Sequence, residues 1–167
     1  TAAGRFWLQL SAATPRFAAI TAVISASERR LAGSVLSRCK TFSYGSAIQA
    51  RREAQARGAD DALLRSSDGS LCCGTAANLL VQRQGRWRTP PLASGCLPGI
   101  LRGRALALGL AEEADLHLET LEGWWQEGDG ACLLINSLSC RPLRRLEGRP
   151  LPLRDGEALW RELIQEA

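Results

Sequence analysis

Methionine is absent from the 167 residues, and lysine, histidine and tyrosine occur once each. Each scarcity narrows what the chain can do. The lone histidine, His117, cannot complete a zinc set by spacing. None of the six cysteines (Cys39, Cys72, Cys73, Cys96, Cys132, Cys140) stands in a CxxC pair. Cys72 and Cys73 are adjacent, a poor disulfide geometry, so all six are expected to be reduced thiols of a cytoplasmic protein. No apolar run approaches the length of a membrane span, so no membrane role is expected. No Lys/Arg block is interleaved with aromatics, so nucleic acid is not implied as a partner. The Ala-rich start is broken by Arg5 and Arg16 and lacks the ordered regions of a signal peptide. The absence of Met even at position 1 leads us to expect a chain that starts inside a longer reading frame or has been processed.

What remains is ordinary for a soluble protein. The hydrophobic fraction is 46%, the charged fraction 23% and the net charge +4. The expectation is one domain over residues 1–167 with a real core. The exception is the lysine. Of 21 basic residues only Lys40 is a lysine, the other 20 being arginine. Arginine stays protonated and cannot serve as an amine nucleophile, whereas lysine forms imines with carbonyl compounds. One lysine among twenty arginines therefore marks either a position that needs an amine or the residue of an Arg-biased composition.

The spacing predicts a chain dominated by strands. Phe6 to Leu10 and Phe17 to Ser25 read as strands divided by Thr14-Pro15, with a polar connection from Glu28 to Gly33. Ser46 to Arg57 reads as a helix whose alanines, Ala47, Ala50 and Ala54, lie on one side, with Gly58 as its stop. Asp61 to Arg65 and Leu71 to Cys73 read as strands about a Ser67-Asp68-Gly69 turn. Asn78 to Gln82 and Arg86 to Thr89 form a hairpin around Gln84-Gly85, ended by Pro90-Pro91. A helix is expected from about Ile100 to Ala114, entered through Pro98 and Gly99. Leu116 to Leu121 alternates as a strand, and Leu121 to Gln126 is one helical turn with Trp124 and Trp125 partly buried. Ala131 to Asn136 and Arg141 to Leu146 are strands, and Asp155 caps a final helix to Glu166. The fold class is α+β, a curved mixed or antiparallel sheet, a pseudo-barrel, with flanking helices.

The pieces and their order resemble the class IV aminotransferases, the pyridoxal-phosphate enzymes that include branched-chain and D-amino-acid aminotransferases and aminodeoxychorismate lyase. The matching residues are CKTFSY at 39–44, AxxEAxxxG from Ala50 to Gly58, ADDALL at 59–64 and DGSLCCGTAANLLV at 68–81. TPPL at 89–92, LPGILR at 97–102 and INSL at 135–138 complete the set. The match spans about residues 38 to 142. It resembles the family's C-terminal, cofactor-binding half, and implies a smaller N-terminal domain missing from this sequence and a homodimer.

The resemblance implies a role for each motif. Lys40 would hold pyridoxal 5'-phosphate covalently and shuttle the proton, its amine facing a cleft between the 97–101 and 136–138 turns. Tyr44 would hydrogen-bond the ring hydroxyl, or else be a core aromatic. The amides of Ile100 and Leu101 would hold the phosphate, the family's frequent Thr being Leu101 here. Asn136 and Ser137 would hold the phosphate from the other side, and Leu138 would offer an amide to the substrate carboxylate, in a segment one residue shorter than usual. Cys73 stands where the family has a glutamate for the pyridine nitrogen, so the ring would be a weaker electron sink, unless Cys73 is only a small buried residue. The INSL turn, and CKT before a small-residue helix, look closest to the lyase branch. That branch eliminates pyruvate from an amino substrate and leaves 4-aminobenzoate for folate synthesis. The alternatives are an amino-acid aminotransferase and a homologue made inactive by Cys73. His117 is expected to have no role, and the tryptophans to be core or dimer surface.

Overall fold

A computed structural model describes Gly4 and residues 7–165. Its first strand, β1 (Ile20–Arg30), runs parallel to both of its neighbours, β2 (Asp61–Ser66) and β8 (Ser139–Leu146). Between β1 and β2 comes α1 (Gly45–Ala56), the long crossover that a parallel pair requires. β3 (Leu71–Gly74) and β4 (Asn78–Arg83) follow, then β5 (Arg86–Thr89) across a Gln84-Gly85 turn with φ of 50° and 80°. Two positive φ values in succession are what a two-residue hairpin of this hand needs. α2 (Ile100–Ala107), β6 (Ala111–Glu113), α3 (Leu118–Gln126), β7 (Cys132–Asn136), β9 (Arg149–Pro150) and α4 (Gly156–Ile164) complete the described elements.

Hydrogen-bonded neighbours run in the order β3-β2-β1-β8-β7-β4, and β3 pairs again with β4 through Cys73 and Asn78. Six strands therefore close on themselves. β5 and β6 extend the sheet beyond β4, and β9 pairs with β8. Alternation along each strand sends one set of side chains inward and the other outward. Ile20, Ala22, Leu63, Leu71, Leu79, Leu134 and Leu143 belong to one buried cluster. Because they come from all six barrel strands, they fill its interior, and Leu121 and Trp125 of α3 join the same cluster. Leu80, Leu133, Ile135 and Cys140 point the other way and receive Leu101 and Ala105 of α2 with Leu159 and Leu163 of α4. Ala50 and Ala54 of α1 pack on Val23, Ala62, Leu64, Cys72, Cys73 and Cys96. The expected pseudo-barrel with flanking helices is the observed architecture, and Asp155 caps α4, accepting from Ala158 N at 3.0 Å.

Four local expectations are corrected. Residues 7–10 form no strand and are exposed, while Phe6 lies outside the described residues. With the barrel closed by β3 and β4, no barrel edge is left for that segment to pair with. The polar connection at 28–33 is strand as far as Arg30, because Arg29 and Arg30 rejoin β2 opposite Arg65 and Ser66. The helix from Ile100 stops at Ala107; Gly109 turns left-handed at φ 68°, and Ala111 to Glu113 pair in parallel with Trp87 to Thr89. The alternating stretch at 116–121 is helical from Leu118. Leu118, Leu121 and Trp125 at i, i+3 and i+7 all pack into the barrel cluster, which the alternation of Leu116 and Leu118 conceals. Glu166, the expected end of the last helix, lies outside the described residues. Trp87 and Trp125 are buried, Trp124 and Trp160 half-buried and Trp7 exposed.

Candidate functional site

Asn78, at the start of β4, gathers the site. It pairs with Cys73 of β3 on one side and with Ile135 of β7 on the other. Its side-chain Nδ2 donates to Leu97 O at 2.8 Å, which holds the Leu97–Gly99 turn against the barrel rim. A β-carbon at Gly99 would collide with Asn78 Oδ1, so only glycine fits under that amide. On the far side, Asn136 Nδ2 donates to Ala76 O at 3.0 Å, and Asn136 Oδ1 accepts from Leu138 N at 2.9 Å and Ser139 Oγ at 3.0 Å. The 97–101 and 136–138 turns therefore sit at the same end of the β4–β7 pair. Cys73 stands between them and the β3–β2 side.

Arg30 ties the segment that precedes Lys40 to this end. The Arg30 guanidinium donates Nε to Gly95 O and Nη2 to Ser37 O, both at 2.9 Å. It ties the 3-10 turn Val35–Arg38, which precedes Lys40, to the segment that precedes Leu97. Gly33 N donating to Ala93 O at 2.8 Å adds a second tie. Lys40 itself is exposed, and it makes no hydrogen bond or ion pair among the described residues. Tyr44 closes the first turn of α1 with its carbonyl, which accepts from Ile48 N at 2.9 Å. The Tyr44 side chain is 41% exposed and is no core aromatic. Cys73 is buried, as are Cys72 and Cys96 beside it. The hydrogen bond with Cys73 and then burial push the Cys72 thiol up to about 12. The Cys96 thiol is pushed up by its hydrogen bond with Cys72 and by burial. Both are thus neutral and weakly nucleophilic.

At the start of α2, Gly99 is the N-cap and offers no side chain, so the first amides of the helix have no intrahelical acceptor. Ile100 is exposed while Leu101 points into the core beneath α2. Such amides suit an anionic phosphate. Ser137 and Leu138 are exposed at the opposing turn. This donor set fits the phosphate of pyridoxal phosphate. Cys73, expected at the pyridine end, is a thiol and offers no carboxylate.

Two residues that motif reading passes over matter here. Arg30 and Asn78 lie in strands and act on loops 65 and 19 residues away. The signal that marks Asn78 is a buried amide ahead of an apolar strand. His117, exposed at the start of α3, stands apart from the site. No described helix is long and apolar enough to cross a membrane.

Known proteins resemble this chain in sequence and structure. The model of the family described as amino-transferase class IV matches residues 1–146. The "Probable branched-chain-amino-acid aminotransferase" of Thermotoga maritima is 33% identical over 89 residues, 52% of this chain and 32% of that protein. The fold IV transaminase of Curtobacterium pusillum superposes with a TM-score of 0.70 at 28% identity, over 87% of this chain and 50% of that one. A Legionella pneumophila structure named "Putative 4-amino-4-deoxychorismate lyase" gives a TM-score of 0.74 at 26% identity, over 93% of this chain and 57% of that one. The chain spans about half the length of these structures, and its alignment covers about a third of the curated relative.

Proposed function

The chain belongs to the class IV aminotransferases, a family of pyridoxal-phosphate enzymes, and from that premise we propose that it is the cofactor-binding part of an aminodeoxychorismate-lyase-like enzyme. Such an enzyme releases pyruvate and leaves 4-aminobenzoate. The observation that carries the lyase reading is Cys73, a buried thiol on the barrel rim at the family's glutamate position. Pyridoxal phosphate supplies an electron sink for charge that develops beside the amine carbon. A neutral partner at the ring nitrogen weakens that sink, and an elimination that never cycles the cofactor to its amine form tolerates this better than transamination does. The likeness to the Legionella protein, over 93% of this chain, supports the same reading.

In this proposal the chain's own residues divide the work. Lys40 holds the cofactor through its amine, then takes and returns the substrate proton. The amides of Ile100 and Leu101 take the phosphate from one side and Asn136 and Ser137 from the other. The Leu138 amide donates to Asn136 Oδ1 at 2.9 Å, so it serves the substrate carboxylate by exchanging that bond, and the Tyr44 phenol takes the ring hydroxyl. The exposure of Lys40, Ile100 and Leu138 is accounted for by a covering surface, a further domain and a second copy of the chain in a homodimer. The test is pyruvate release from aminodeoxychorismate without added keto acid. Release from the protein and none from K40A supports the lyase. Turnover only when a keto acid is present establishes the second reading, an amino-acid aminotransferase, which the name of the Thermotoga relative favours.

A further inference from the structure

The open end of the barrel carries a second polar cluster, whose arginines the proposed cofactor site does not use. A cavity of about 60 Å³ lies there, lined by Arg16, Arg51, Asp61, Asn136, Ser139 and Arg141 with apolar walls from Ile20 and Leu134. Ile20, Leu134 and the barrel face of β2 point inward, so the cavity sits over the barrel axis, beneath the Asn136–Ser139 turn. Asp61 is buried, but its charge is spoken for. It accepts from Arg51 Nη2 at 2.9 Å, from Ala62 N at 2.8 Å and from Thr75 Oγ1 at 2.5 Å. The neighbouring Asp60 accepts from Thr21 N and Thr21 Oγ1.

The guanidinium groups are less well matched. Arg51 is held by Thr75 and Asp61. Arg141 donates only Nε, to Ala18 O at 3.1 Å, and its two terminal nitrogens have no acceptor among the described residues. Arg16 is fixed by its backbone, through Arg16 N to Leu138 O at 3.0 Å and Cys140 N to Arg16 O at 3.2 Å, while its exposed side chain has no acceptor among the described residues. Burial holds the Arg141 guanidinium below the ordinary arginine range. Repulsion from Arg16 and Arg51 acts in the same direction, against Asp60 and Asp61. Two guanidinium groups, that of the exposed Arg16 and that of the half-buried Arg141, thus line a small concave space whose carboxylates are already engaged.

We propose that this barrel mouth binds a small oxyanion, a carboxylate or an inorganic phosphate, between Arg16 and Arg141. Planar guanidinium forks match the paired oxygens of both. A space of about 60 Å³ suits one small anion. The site shares Asn136 and the 136–138 turn with the proposed cofactor contacts, but neither arginine is given a part in holding the cofactor.

Thermal melting and titration calorimetry on the full chain test this, with sodium acetate, sodium phosphate and sodium chloride at constant ionic strength. The expected result is a saturable rise in melting temperature with acetate or phosphate and none with chloride. Acetate alone identifies a carboxylate site and phosphate alone a phosphate site. R141Q should weaken the binding at least tenfold. R16Q loses no recorded side-chain bond, carries the same expectation, and keeps the test valid if R141Q folds poorly. R86Q, which changes the same charge in the β4–β5 turn, should leave binding intact. Binding of phosphate that survives both R16Q and R141Q would place the anion at the 97–101 turn and overturn the proposal, as would the absence of any saturable shift.

Discussion

At the scale of the residue, Gly99 lies under the Asn78 amide at the entrance of α2 and leaves no room for a side chain. Gly99 yields a sharp prediction. Gly99→Ala drives a methyl into the Asn78 amide and should cost about 1–3 kcal/mol of stability. It should also weaken cofactor retention, measured by equilibrium dialysis of pyridoxal phosphate. N78A with G99A should recover part of the stability loss, because the colliding amide is gone. Cys73 yields another. C73E should raise transamination relative to pyruvate release about tenfold, worth about 1.4 kcal/mol in barrier, and alter the absorbance of the bound cofactor. C73S, which stays neutral, should change neither, and a C73E protein with unaltered absorbance contradicts the assignment of Cys73 to the ring nitrogen. Lys40 was legible as a residue because of its scarcity, and Gly99 because of its place at a helix entrance. Asn78 and Arg30 were not legible, since their partners, Leu97 and Gly95, come from distant loops that only the closed sheet brings near.

At the scale of elements, β1 and α1 depend on one carboxylate. The β1–β2 register shifts between Ile24 and Arg29, which frees the amides between them. Glu53 of α1 accepts from Ala26 N at 2.8 Å, Ser25 Oγ at 2.7 Å and Ser27 Oγ at 3.0 Å. The Ala26 amide, followed by Ser25, holds the Glu53 carboxyl down at about 2. A carboxyl whose folded value lies below its unfolded value of about 4.5 contributes stability above pH 5 and loses it as pH falls from about 5 to 2. Its full contribution is at most on the order of 3 kcal/mol. E53Q should therefore unfold at lower denaturant concentration at pH 7, and its stability should fall less steeply between pH 5 and 3 than that of the wild type. Parallel curves offset by a constant would contradict the role of the charge. The helix of α1 was visible in its alanine spacing. The continuation of β1 was not, because a bulge stitched by a glutamate from another element leaves no period in the local sequence. The strand read at 116–121 failed for a related reason, since three residues of alternation fit a helix face as well as a sheet.

At the scale of the molecule, the curved sheet followed from the count and order of strands, and its closure into a barrel by Cys73 and Asn78 did not, because a single pairing has no sequence signature. Closure places the two turns and Cys73 at one end, and Arg30 ties the segment before Lys40 to it. It also leaves Leu31, Val35, Leu36, Phe42, Ile48 and Ile100 exposed on or near the segments that hold Lys40 and the 97–101 turn. On the proposed reading another body covers this surface. A homodimer predicts sedimentation at twice the chain mass, shifted to monomer by F42D together with L36D, whereas a monomeric wild type would contradict that part of the proposal.

The central claim is that the amine of Lys40 carries the cofactor. The direct test is borohydride reduction of the protein with one equivalent of pyridoxal phosphate, followed by peptide mass spectrometry. The chain has one lysine, so the account predicts a single reduced pyridoxyl adduct on the Lys40 peptide and none there in K40R. An unmodified Lys40 peptide, or an adduct found only on the terminal amine, would contradict it.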